Sequence, residues 1–80
     1  MKIDDNQITF IIKVLTANVA EELAQLSGKS TTDALRDFIA TKTYNVLMKP
    51  DSQLYRESPA YVVDMVEAEQ SGDWARWLEV

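Results

Sequence analysis

The amino-acid sequence predicts an all-α fold, a small bundle of three to five helices forming a single domain over residues 1–80. Three observations carry this expectation. A stripe of apolar residues at helical spacing runs unbroken through the first third of the chain. The chain holds only two glycines and two prolines, and these stand at Gly28, Pro50, Pro59 and Gly72, between segments of helical pattern. Two of those segments open on a serine suited to capping a helix.

The first helix is expected from about Asp5 to Ser27. Ile8, Ile11, Ile12, Leu15, Val19, Leu23 and Leu26 fall within about a third of the helical circumference at ~100° per residue. Gly28 suits the position just past a helix end, where a left-handed backbone costs glycine little. Phe10, Val14 and Ala17 fall on the far side of this helix. There they either meet a partner chain or are covered by another helix of the same chain. Residues 8–14 also carry a strand-like alternation, Ile8, Phe10, Ile12 and Val14 against Thr9, Ile11 and Lys13. Helix is preferred because the apolar stripe continues through Leu26.

Ser30 reads as the N-cap of a second helix, with Asp33 at the third helical position. Leu35, Phe38 and Ile39 are its expected buried face. A helix continued through Thr41-Lys42-Thr43 would carry Lys42 into the middle of the apolar stripe. The sequence therefore predicts a break near Thr41 and a short helix to Lys49, with Tyr44, Leu47 and Met48 on one side. Pro50-Asp51-Ser52-Gln53 reads as a turn, after which Leu54 and Tyr55 pack back on the core. Ser58-Pro59 places an N-cap before a proline at the first helical position, where no N–H is needed. That helix should reach about Gln70, with Tyr61, Met65 and Ala68 in one strip, Val62 and Val66 beside them, and Gly72 at its end. Trp74, Trp77 and Leu78 stand at i, i+3 and i+4 and share a face of one or two further helical turns. They either cap the core or form an exposed aromatic anchor.

The chain has no cysteine and no histidine. It can therefore make no disulfide, no zinc site of the Cys/His type, no Ser-His or Cys-His nucleophile and no histidine general base. No glycine-rich loop is present to cradle phosphate. Asp64, Glu67 and Glu69 lie close together but lack the spacing and central glycine of a calcium loop, and are read as a solvated helix face. The expectation is a protein that is not an enzyme, with no catalytic residue, cofactor or metal. The apolar run from Ile8 to Leu15 carries Lys13 and is far shorter than the ~20 residues of a membrane span. Met1-Lys2 is followed at once by Asp4 and Asp5, unlike a targeting signal. No membrane association is expected, and the location is taken as cytoplasmic.

Thirteen acids against eight bases give a net charge of −5. Residues 1–49 hold six of each, so the whole excess falls on residues 50–80, with seven acids against two bases. An acidic surface repels phosphate backbones and attracts basic partners, and the bases form no run interleaved with aromatics, so nucleic-acid binding is not expected. A chain this short, with no disulfide or metal to hold it, favours oligomerisation. The expected contacts are a homodimer through Phe10 and Val14, and a basic protein partner on the acidic C-terminal part with Tyr61, Trp74 and Trp77.

Two stretches resemble known families. Glu22-Leu23-Ala24-Gln25-Leu26-Ser27-Gly28-Lys29-Ser30-Thr31-Thr32-Asp33-Ala34-Leu35-Arg36 resembles the helix-turn-helix part of ribbon-helix-helix antitoxins. That resemblance implies an alternative fold, with an N-terminal strand presenting Thr9, Ile11 and Lys13 to a DNA groove, and an alternative function as a dimeric DNA-binding regulator. Over roughly residues 8–70, a long apolar first helix, the Ser27-Gly28-Lys29-Ser30 turn, Asp33-Ala34-Leu35 with Phe38, then Lys42-Thr43-Tyr44-Asn45-Val46-Leu47 and an acidic last helix are similar to small bacterial all-helical proteins found beside ADP-ribosyltransferase-like toxin genes. This second resemblance implies a toxin–antitoxin-like or accessory role without catalytic residues. The function expected from the sequence is a non-catalytic protein-interaction module.

Overall fold

A computed structural model describes residues 5–73. Helix α1 spans Asp5–Ser27, α2 Thr31–Ile39, α3 Lys42–Leu47 and α4 Pro59–Ser71. Two short 3-10 turns, Pro50–Ser52 and Leu54–Arg56, join α3 to α4. The fold is a small all-α bundle, and no strand occurs among the described residues. Residues 8–14 lie inside α1, so the extended segment of the ribbon-helix-helix alternative is helical here.

The helix ends follow local chemistry. Ser30 Oγ accepts the Asp33 N–H at 3.1 Å and Ser58 Oγ accepts the Tyr61 N–H at 3.2 Å, with Pro59 opening α4. Gly28 and Gly72 close α1 and α4 at φ +74° and +88°, where a Cβ would be strained. The chain breaks at Thr41, whose Oγ1 accepts the Tyr44 N–H at 3.0 Å and so begins α3. The break lets Lys42 reach solvent instead of the apolar stripe.

Helix α1 packs against both α2 and α4, and α3 packs against α4. Their shared core centres on Val19, Phe38, Leu47, Val62 and Val66, with Leu54 buried beside them and Tyr55 half-buried. Phe38 meets Tyr44 edge to face, ring centres 5.4 Å apart. Val63, absent from the expected strip of α4, is buried as well.

Four apolar side chains depart from expectation. Leu35 and Ile39 are exposed rather than buried; the inward face of α2 is Ala34 and Phe38. With so short a helix, one small and one large residue at i, i+4 complete the contact, and their sequence neighbours turn outward by ~100° each. Leu26 is 67% exposed because it sits in the final turn of α1, beyond its last buried residue, Ala24. Met48 is the exposed C-cap of α3, which ends at Leu47 rather than Lys49.

Glu69 also departs from expectation. It is not part of a solvated acidic face, as Asp64 and Glu67 are. Its carboxylate accepts the N–H groups of Lys42 at 2.9 Å and Thr43 at 2.8 Å, and the Thr43 hydroxyl at 2.8 Å. It thereby satisfies the first amides of α3 from the far end of α4. Burial raises its pKa, but the two backbone hydrogen bonds, the Thr43 hydroxyl and the Lys42 charge outweigh burial and hold it below the ordinary glutamate value.

A candidate interaction face on α1, α2 and α3

Helix α1 places Phe10, Val14 and Ala17 one turn apart along a single outward strip, as its period dictates. No other helix covers this strip among the described residues: Phe10 is 65% exposed and Val14 44%. Both are the large apolar residues that a soluble helix ordinarily turns inward.

Ala17 is shared between this strip and a groove of about 380 Å³ running along α1 toward α2 and α3. Ile8, Ile12, Thr9 and Thr16 form the α1 side of the groove, Leu35 the α2 side, and Tyr44 and Met48 the α3 side, with Pro50 at its end. The two threonines would make such a wall polar if their hydroxyls faced outward. Instead Thr9 Oγ1 donates to the Asp5 carbonyl at 2.9 Å and Thr16 Oγ1 to the Ile12 carbonyl at 2.7 Å. Each hydroxyl is thus satisfied within α1, as threonine in a helix commonly is. Ile39, one turn after Leu35, continues the apolar surface along α2 at 48% exposure.

Two charged side chains border the groove, Asp5 and Lys13, one of each sign. Neither has an ion-pair partner among the described residues. The groove walls come from residues 5–50, the part of the chain whose formal charges nearly cancel.

The residues singled out in the sequence do not all meet. Phe10 and Val14 share the α1 strip. Tyr61 is half-buried on α4, packed against the core beside Val46, Leu54 and Met65, away from the groove. Trp74 and Trp77 lie outside the described residues. Leu35, Tyr44 and Met48 belong to the face but were not anticipated there. Leu35 and Ile39 at i, i+4 were the available signal, read as core.

A second, smaller cleft of about 280 Å³ lies between Leu23, Leu26, Phe38 and Val66, with Lys29, Asp37 and Glu67 at its edge. Lys29 Nζ donates to Asp37 Oδ2 at 2.6 Å across its mouth. That hydrogen bond and the attraction of the Asp37 charge hold the Lys29 ammonium above the usual lysine value. Among the described residues no three acidic side chains gather to hold a metal ion. Nor is any helix there long and apolar enough to cross a membrane. No protein-family model, curated protein or solved structure matches the chain.

Proposed function

We propose that this chain is a non-catalytic protein-interaction module that engages a protein surface through the face built by α1, α2 and α3. The observation that supports this reading is an apolar groove lined by Ile8, Ile12, exposed Leu35 and exposed Met48, which shares Ala17 with the exposed strip of Phe10 and Val14 on α1. Contiguous exposed apolar surface on a small soluble fold marks an interaction site. Phe10 supplies the aromatic anchor and the groove supplies a concavity, the two parts of an interface centre. An antitoxin-like or toxin-accessory role, in the cytoplasm, is the biological setting we attach to it on the resemblance of residues 8–70. The excess acid of residues 50–80 would instead draw a basic partner to α4, and that rival reading predicts contacts on α4 and not on α1.

Site-specific photo-cross-linking tests the reading. A benzoylphenylalanine placed at position 14 should form protein adducts in lysate of the source cells. The same group at exposed position 67 on α4 should not. Adducts at position 14 should disappear with Phe10→Glu. Equal labelling at the two positions would overturn the assignment of the face.

A further inference from the structure

We propose that the occupant of this face is a second copy of the same chain, related by a two-fold axis, with α1 of each copy lying antiparallel against α1 of the other and the two Phe10 side chains meeting beside the seam. The inference rests on the reading of the face as an interaction surface and names its partner.

Three features of the face favour self-pairing. First, the projecting side chain and the concavity sit beside each other on the same molecule. An isologous contact uses one patch on both copies, so that residue i meets residue j and residue j meets residue i, and this face offers such a single patch. Second, the border charges are self-complementary. Asp5 and Lys13 both flank the groove, and eight residues of α1 separate them by ~12 Å along its axis. A two-fold crossing near Thr9 reverses one α1 against the other. It brings Asp5 of each copy level with Lys13 of its mate, and sets the Phe10 side chains of the two copies beside each other near the crossing point. Third, the distribution of net charge selects the face. The molecule carries −5, all of it on residues 50–80. Two copies meeting through α4 would oppose like charges, whereas the α1 face brings together residues of nearly balanced charge. A basic partner would be drawn to the α4 side instead.

The expected affinity follows from size. Eleven residues line the groove, and Phe10 and Val14 extend it. A standard interface uses roughly 20–30 residues a side. The dimer should therefore be small and concentration-dependent.

Sedimentation velocity of the full chain over about 1–500 μM, a range set by that modest size, tests the proposal, with circular dichroism as the fold control. Wild type should shift from one mass to twice that mass across the series. Phe10→Glu should remain monomeric throughout, with an unchanged helical signal. Asp5→Lys and Lys13→Asp should each weaken association severalfold. Asp5→Lys combined with Lys13→Asp should restore it, an outcome that neither a general loss of hydrophobicity nor misfolding can produce. A wild type that stays monomeric to the top of the range overturns the proposal, as does a dimer that survives Phe10→Glu. In the first case, adducts from position 14 to a different chain would leave the interaction face standing and remove only the self-pairing. The absence of any adduct would end both.

Discussion

Helix α4 and the outer half of α1 treat large apolar side chains in opposite ways. In α4, Val62, Val63, Met65 and Val66 are all buried, and the residues left to solvent include Asp64 and Glu67. In α1, Ile12, Leu15 and Val19 are buried while Phe10 and Val14 stand in water on the other side. The chain has two phenylalanines, and they fall one on each side of this divide. Phe38 is fully buried and Phe10 is 65% exposed. The same residue type serves packing in one place and is left unsatisfied in the other. An apolar side chain on α4 contributes to the stability of one chain, and the apolar strip of α1 contributes little until something covers it.

The contrast can be broken by substitution, and the largest effect belongs to the core. Phe38→Ala should cost about 3–5 kcal/mol, because it opens a cavity at the meeting point of α1, α2 and α3 and removes the edge contact to Tyr44. Urea unfolding followed by circular dichroism would read it. Loss of Glu69 comes next. Glu69→Ala leaves the Lys42 and Thr43 amides without their acceptor and should cost about 0.5–2 kcal/mol at neutral pH, the range for loss of a helix cap. Its carboxyl has a lower pKa in the fold than in the unfolded chain. The stabilisation is therefore complete above the ordinary glutamate pKa and fades as pH falls through the lower folded value. The stability gap between wild type and Glu69→Ala should narrow steadily below about pH 4.5, the unperturbed glutamate value. A gap independent of pH would mean that the carboxylate charge is immaterial. Ser58→Ala removes the α4 N-cap and should cost about 1 kcal/mol, seen as a lower urea midpoint at unchanged slope. Smallest is Phe10→Ser, which should move the stability of the single chain by no more than ~0.5 kcal/mol, measured at high dilution. A larger loss there would place Phe10 in the core economy of the single chain and erase the contrast.

The starts of α2 and α4 and the ends of α1 and α4 were legible in the sequence because their signals are local, whereas α3 stops at Leu47 and not at the expected Lys49. Ser30, Ser58, Gly28 and Gly72 each act on atoms within four residues. The break at Thr41 could be read from Lys42, whose charge would otherwise fall in the apolar stripe. The outward strip of Phe10, Val14 and Ala17 was legible from helical period alone. The groove was not, since it depends on how α2 and α3 lie against α1. The exposure of Leu35 and Ile39 was hidden for a related reason. Periodicity marks an apolar sector of α2, but how much of that sector is covered depends on the width of the neighbouring helix. Glu69 gave no signal, because its partners lie 26 and 27 residues earlier and a glutamate near a helix end is ordinarily solvated.

The hold of Glu69 on Lys42 and Thr43 has a consequence for the order in which the molecule assembles. Helix α3 has six residues, too few to persist in water without support. Amides in the first turn of a helix lack carbonyl acceptors and ordinarily exchange their hydrogens with solvent quickly. Here two of them are closed by a side chain from the last turn of α4. Their protection is therefore set by the integrity of α4 and not by α3 itself. Helix α3 is therefore expected to settle only once α4 is in place. Fraying of α4 at Gly72 should register as faster hydrogen exchange at Lys42 and Thr43, thirty residues away in the chain.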